Sequence, residues 1–116
     1  MIRVNIVDDE RIISSLMEIK NENTCLAWAQ EGAQPRGWCA FTAGGELICA
    51  DARDEYFELV IRAALNKLDL SGVKYAVCKN KTLADRLIPF GFQKCTGGVK
   101  IDIPAFFKPC GGCTKN

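Results

Sequence analysis

Residues 51–92, DARDEYFELVIRAALNKLDLSGVKYAVCKNKTLADRLIPFGF, set a long amphipathic segment, an apolar run and a second short amphipathic segment in direct succession. Phe57, Val60, Ile61, Ala64, Leu65 and Leu68 recur at helical spacing and predict a helix over 53–68. Asp51 is the expected cap, and Asp54 and Glu55 suit the positive end of the helix dipole. Ser71-Gly72 is the expected stop. Val73 to Cys78 is apolar apart from Lys74, the pattern of a strand covered on both faces. Thr82-Leu83-Ala84-Asp85 reads as a capping box with Asp in place of Glu, Leu83, Leu87 and Ile88 form the buried side of a short helix, and Pro89 ends it.

The segments on either side read as strands and one more helix. Ile2, Val4 and Ile6 alternate along a first strand over 1–7. Asp8 or Asp9 then caps a helix whose stripe is Ile12, Ile13, Leu16 and Met17, ending at Asn21-Glu22-Asn23. Strands are expected over 25–30, 37–42 and 46–50, with a turn over 31–36 and a hairpin at Ala43-Gly44-Gly45. A second hairpin at Gly97-Gly98 joins strands 92–96 and 99–103, and Pro104 closes the last one. The expected class is therefore α/β in the α+β sense. It has a mixed, mainly antiparallel twisted sheet of six to seven strands, helices on both faces, and the order β-α-βββ-α-β-α-ββ.

Composition narrows the function. The chain has 116 residues, enough for one core: a single domain over 1–107 and a tail over 108–116. A net charge of +1 provides no field to gather nucleic acid or an anionic membrane, so neither is expected as a partner. No apolar run nears the roughly 20 residues of a membrane span, and the N-terminus lacks a signal-like apolar stretch. With seven cysteines and no export signal, the expectation is a reduced, cytoplasmic chain. Cys39, Cys49 and Cys78 lie in strand-like runs and read as small buried hydrophobes. There is no histidine, which excludes histidine bases, triads and metal ligands.

The element order resembles the GNAT superfamily of acyl-CoA-dependent N-acetyltransferases. Ala63-Ala64-Leu65-Asn66 in the long helix, Asn80 past the next strand, and Leu87-Ile88-Pro89-Phe90-Gly91-Phe92 at its ending carry the resemblance. It implies acetyl-CoA or another acyl-CoA as cofactor and a small-molecule amine as acceptor. It also implies cofactor contacts from Ala50, Asp51, Ala52, Arg53, Asp54, Glu55 and Asn80. In such a fold two parallel strands splay, and a helix N-terminus beside them offers free amides to the pyrophosphate. The family's Gln/Arg-x-x-Gly-x-Gly/Ala turn is here 51–57, with no glycine and three acids. Those acids would repel a pyrophosphate by about 1 kcal/mol or more at close range, and Arg53 offsets only part of that. Leu87 stands where the family commonly places the tyrosine that protonates the departing thiolate. That leaves Glu46 or Asp51 as a base through water, and Cys78 as a substitute acid. A non-catalytic binding or dimerisation module is the alternative, with exposed strand edges favouring a homodimer.

Two other patterns compete. Val4 to Glu10, Asp51 and Lys108-Pro109 mimic a response-regulator receiver, with Asp8 and Asp9 on Mg²⁺ and Asp51 as phosphoacceptor. Cys110-Gly111-Gly112-Cys113 has metal-type spacing. A zinc site there would need more ligands, from Cys95, Cys25 or a second subunit.

Overall fold

Alternating apolar side chains build the centre of this molecule as one sheet. The computed structural model describes residues 2–16 and 24–107. In chain order these form β1 (Ile2–Val7), α1 (Glu10–Leu16), β2 (Thr24–Glu31), β3 (Gln34–Thr42), β4 (Glu46–Ala52) and α2 (Asp54–Leu70). There follow β5 (Tyr75–Cys78), α3 (Lys81–Leu87), a 3₁₀ turn (Ile88–Phe90), β6 (Gln93–Cys95), β7 (Gly98–Asp102) and α4 (Ile103–Phe107). The seven strands lie in the order β1-β2-β3-β4-β5-β7-β6. Every pairing is antiparallel except β4 with β5. The sheet is open, with β1 and β6 at its edges. The class and strand number are those expected, and the element order follows the expected one with α4 added after the last strand.

Period-two alternation gives the sheet two distinct faces. Ala27, Ala29, Cys39, Phe41 and Leu47 join the larger core with the buried faces of α2 and α3. Leu26 and Ala40 point the other way and are covered by Ile13 of α1, with Trp28 and Trp38 beside them. The alternation is reset once. Ala40 pairs with Cys49 and Phe41 with Leu47, so Ile48 is an inserted residue. Ile48 and Cys49 both pack on the α1 side, two neighbours on one face, as a bulge requires.

Several local expectations are corrected. The turn after β2 is confined to residues 32–33, and Pro35 lies in β3 at a register shift opposite Gln30. Asp51 belongs to β4, and Arg53 holds the N-cap position of α2 without a side-chain cap bond. The helix stands without one because Phe57, Val60, Ile61, Ala64, Leu65 and Leu68 are all buried. Burying a large apolar side chain contributes about 1.5–3 kcal/mol, against about 1 kcal/mol for a cap. Asn80, not Thr82, caps α3, its Oδ1 accepting from the Leu83 amide at 3.1 Å. Ile103 starts α4 rather than ending a strand, because Asp102 Oδ1 accepts from the Ala105 amide at 3.0 Å and Pro104 suits a first turn. The helix end expected at 21–23 and the tail over 108–116 lie outside the described residues.

β5 is wedged between two glycines. A Cβ on Gly45 would stand 2.6 Å from the Tyr75 carbonyl oxygen, and a Cβ on Gly98 would overlap the Cys78 carbonyl. Both obstacles are backbone, so no rotamer relieves them. Gly45 also has φ 111°, whereas Gly72 has φ 85° with nothing near its missing Cβ. Alanine at Gly72 therefore isolates the dihedral cost, about 1–2 kcal/mol. Gly45→Ala and Gly98→Ala are each expected to destabilise the fold by more than Gly72→Ala, as urea unfolding midpoints will register.

Candidate functional site

β4 and β5 run together for only two residue pairs, Glu46 with Val77 and Leu47 with Cys78. The Val77 amide adds a bond to the Gly45 carbonyl at 2.9 Å. Past that point β4 continues to Ala52, while the other chain turns away into α3. The strands thus part, and a gap opens along one edge of β4. The Ala52 carbonyl faces it, since it accepts from Arg86 of α3 at 3.0 Å. Strand alternation aims the amide and carbonyl of Ala50 at the same edge. The gap ends at the first turn of α2, where the Arg53 carbonyl accepts from Tyr56 and Phe57 at 2.9 Å each. The amides of Asp54 and Glu55 precede the first intrahelical bonds.

The geometry brings Ala50, Asp51, Ala52, Arg53, Asp54 and Glu55 along one wall, as the end of β4 and the start of α2. Asn80 stands on the opposite wall, at the start of α3. Glu46 sits at the closed end and Asp51 near the open end, on the order of 15 Å apart by strand rise. They therefore cannot serve the same reacting atom. Asp51 is exposed, and its side chain lies on the α1 face. Cys78 is fully buried in the larger core, and its Sγ donates to the Asn80 carbonyl at 3.6 Å. Leu87 is fully buried as well.

Sequence reasoning missed Arg86. Its guanidinium reaches the Ala52 carbonyl, contacts Asp54 Oδ1 at 3.1 Å and lies 3.8 Å from the centroid of the Phe57 ring. An ion pair this exposed stabilises little by itself, so the carbonyl bond and the ring are what hold the guanidinium in place. The result matters for charge. Asp54 is matched by Arg86, and Glu55 has Arg53 Nε at 3.9 Å. Of the three acids in 51–57, two have a cation beside them. The only sequence signal was one basic residue in the last turn of α3, with its partner 32 positions away.

Burial holds the Cys39 and Cys78 thiols protonated. Burial pushes Cys39 well above the ordinary thiol value, with smaller contributions from Cys49 and Cys78. Burial also raises Cys78, where the Asn80 hydrogen bond opposes it and the Glu46 carboxylate reinforces it. Among the described residues no group of three or more Cys, Asp or Glu is placed to hold a metal. Cys110 and Cys113 fall outside those residues. The receiver reading fails on topology: a receiver needs a parallel core, and β4–β5 is the only parallel pair among the described residues. Among the described residues no helix is long and apolar enough to cross a membrane. No model of a known protein family matches the chain, and no curated protein matches it.

The buried thiols predict a pH dependence. Cys39 and Cys78 ionise at the ordinary value of 9.0 when unfolded and higher when folded. Above that value the unfolded state binds fewer protons, so stability falls as pH rises. The slope is about 1.4 kcal/mol per pH unit for each fully protected thiol. Below pH 9.0 their contribution is flat. Cys39→Ala should flatten the alkaline slope by about one proton in urea titrations at stepped pH. At the cap, Asn80→Ala should cost about 1 kcal/mol, while Thr82→Ala should cost much less.

Proposed function

We propose that this chain is an acyl-CoA-dependent N-acyltransferase of GNAT-like architecture. The observation that carries the reading is the parting of β4 from β5 beside an uncapped helix N-terminus. The pantetheine arm would lie along the open β4 edge, exchanging amide hydrogen bonds with Ala50 and Ala52. The pyrophosphate would meet the Asp54 and Glu55 amides and the guanidiniums of Arg53 and Arg86. An acceptor amine attacks the thioester carbonyl, the C–N bond forms, the C–S bond breaks, and CoA leaves as thiolate. Leu87 supplies no proton, so the thiolate takes one from water. Glu46, beside the closed end, is the better placed base for the amine, acting through water.

A second reading is favoured by Arg86. Its bonds to Ala52 and Asp54 bridge the mouth of the gap, as a latch would in a non-catalytic binding or dimerisation module. Calorimetry with acetyl-CoA and CoA separates the two. The enzyme reading expects micromolar binding, weakened about tenfold, or ~1.4 kcal/mol, by Arg86→Gln. Binding no tighter than millimolar sinks it. Binding that improves in Arg86→Gln identifies the latch.

A further inference from the structure

On the α1 face, the strand registers set four side chains in one row. Asn5 pairs with Trp28, Trp28 with Trp38, and Trp38 with Asp51. Directly opposed residues have Cβ atoms about 5 Å apart, so the row spans the sheet as amide, indole, indole, carboxylate. Both indoles are half-buried, while Asn5 and Asp51 are exposed. The Trp28 indole is oriented by its Nε1–H, which donates to Gln30 Oε1 at 3.1 Å.

Three other rings in this molecule already carry a cation from the chain. Arg62 lies over Phe106, Arg86 over Phe57 and Lys100 over Tyr75, at 5.4, 3.8 and 4.2 Å. Indole is the strongest cation acceptor among aromatic side chains. Yet among the described residues no cation lies over Trp28 or Trp38. Asp51, next in the row, has no ion pair among those residues. Two half-buried indoles and a carboxylate without an ion pair among the described residues, on one face of the sheet, suit an organic ammonium with an apolar body.

We infer that this row binds a primary ammonium compound, its charge at Asp51 and its apolar part against Trp38 and Trp28. Asp51 projects from the α1 face of β4, opposite the face that Ala52 turns to the larger core, and lies on the order of 15 Å from Glu46 by strand rise. The amine is therefore a ligand in its own right, not the acyl acceptor of the function proposed above.

The chain has two tryptophans, and both are in the row, so intrinsic fluorescence reports this site alone. The full chain is titrated with 2-phenylethylamine, without CoA, at low and high salt, with 2-phenylethanol as the neutral comparator. The expected result is a saturable emission change with the amine, weakened by salt. Both the alcohol and Asp51→Asn should bind at least about fivefold more weakly. Equal binding of amine and alcohol, or no saturable change with the amine, overturns the inference. The comparator on the unmodified chain decides the matter even if Asp51→Asn does not fold. Loss of acetyl-CoA binding in calorimetry leaves this result untouched, so the two failures are distinguishable.

Discussion

The close approach of backbone to backbone around β5 is the constraint on which the rest depends. A strand of four residues carries the only parallel pairing among the described residues. It is admitted because neither Gly45 nor Gly98 presents a Cβ to its carbonyls. On the β4 side the contact is limited to the first two residues of that strand. Past it, β4 follows its antiparallel partner β3, and the chain after Cys78 follows the Asn80 cap into α3. The gap is therefore the outcome of two local loyalties, one to a meander and one to a helix.

Charge around the gap follows the same logic. Residues 51–57 look hostile to an anion when read in line, because their acids are adjacent in sequence. Folding brings Arg86 from the neighbouring helix onto Asp54, and the Phe57 face keeps it there. The acid that stays without a cation among the described residues, Asp51, points to the opposite side of the sheet. The strand alternation that packs Ala50 and Ala52 against the larger core thus sorts the carboxylates between two surfaces.

Much of this fold is written in periodicity. The stripe from Phe57 to Leu68 marks α2, and the alternation over 25–50 marks the meander. The errors are local and have physical causes. Asp51 resembles a cap, but β3 offers it a ladder partner in Trp38, and the strand runs on to Ala52. Thr82 resembles a cap, but Asn80 is two residues earlier and reaches the Leu83 amide. Ile103 fits the alternation of β7, but Asp102 turns the backbone into a helix. The wall of the gap was legible as a stretch of chain, since Ala50 to Glu55 end β4 and begin α2. Its charge balance was not, because the Arg86–Asp54 pair has no local pattern. The row from Asn5 to Asp51 was equally hidden, since it exists only once three registers are set.

The brevity of the β4–β5 seam divides the molecule's cohesion unevenly. β1 to β4 are knit by long antiparallel ladders under α2, whereas β5, β6 and β7 form a smaller patch tied mainly to one another and to α3. What joins the two across the seam is packing rather than a ladder, since Ala76, Cys78, Val99 and Ile101 share one core with the meander and α2. Any guest lodged in the cleft would touch both sides of the seam and add the bonds that the short ladder leaves out.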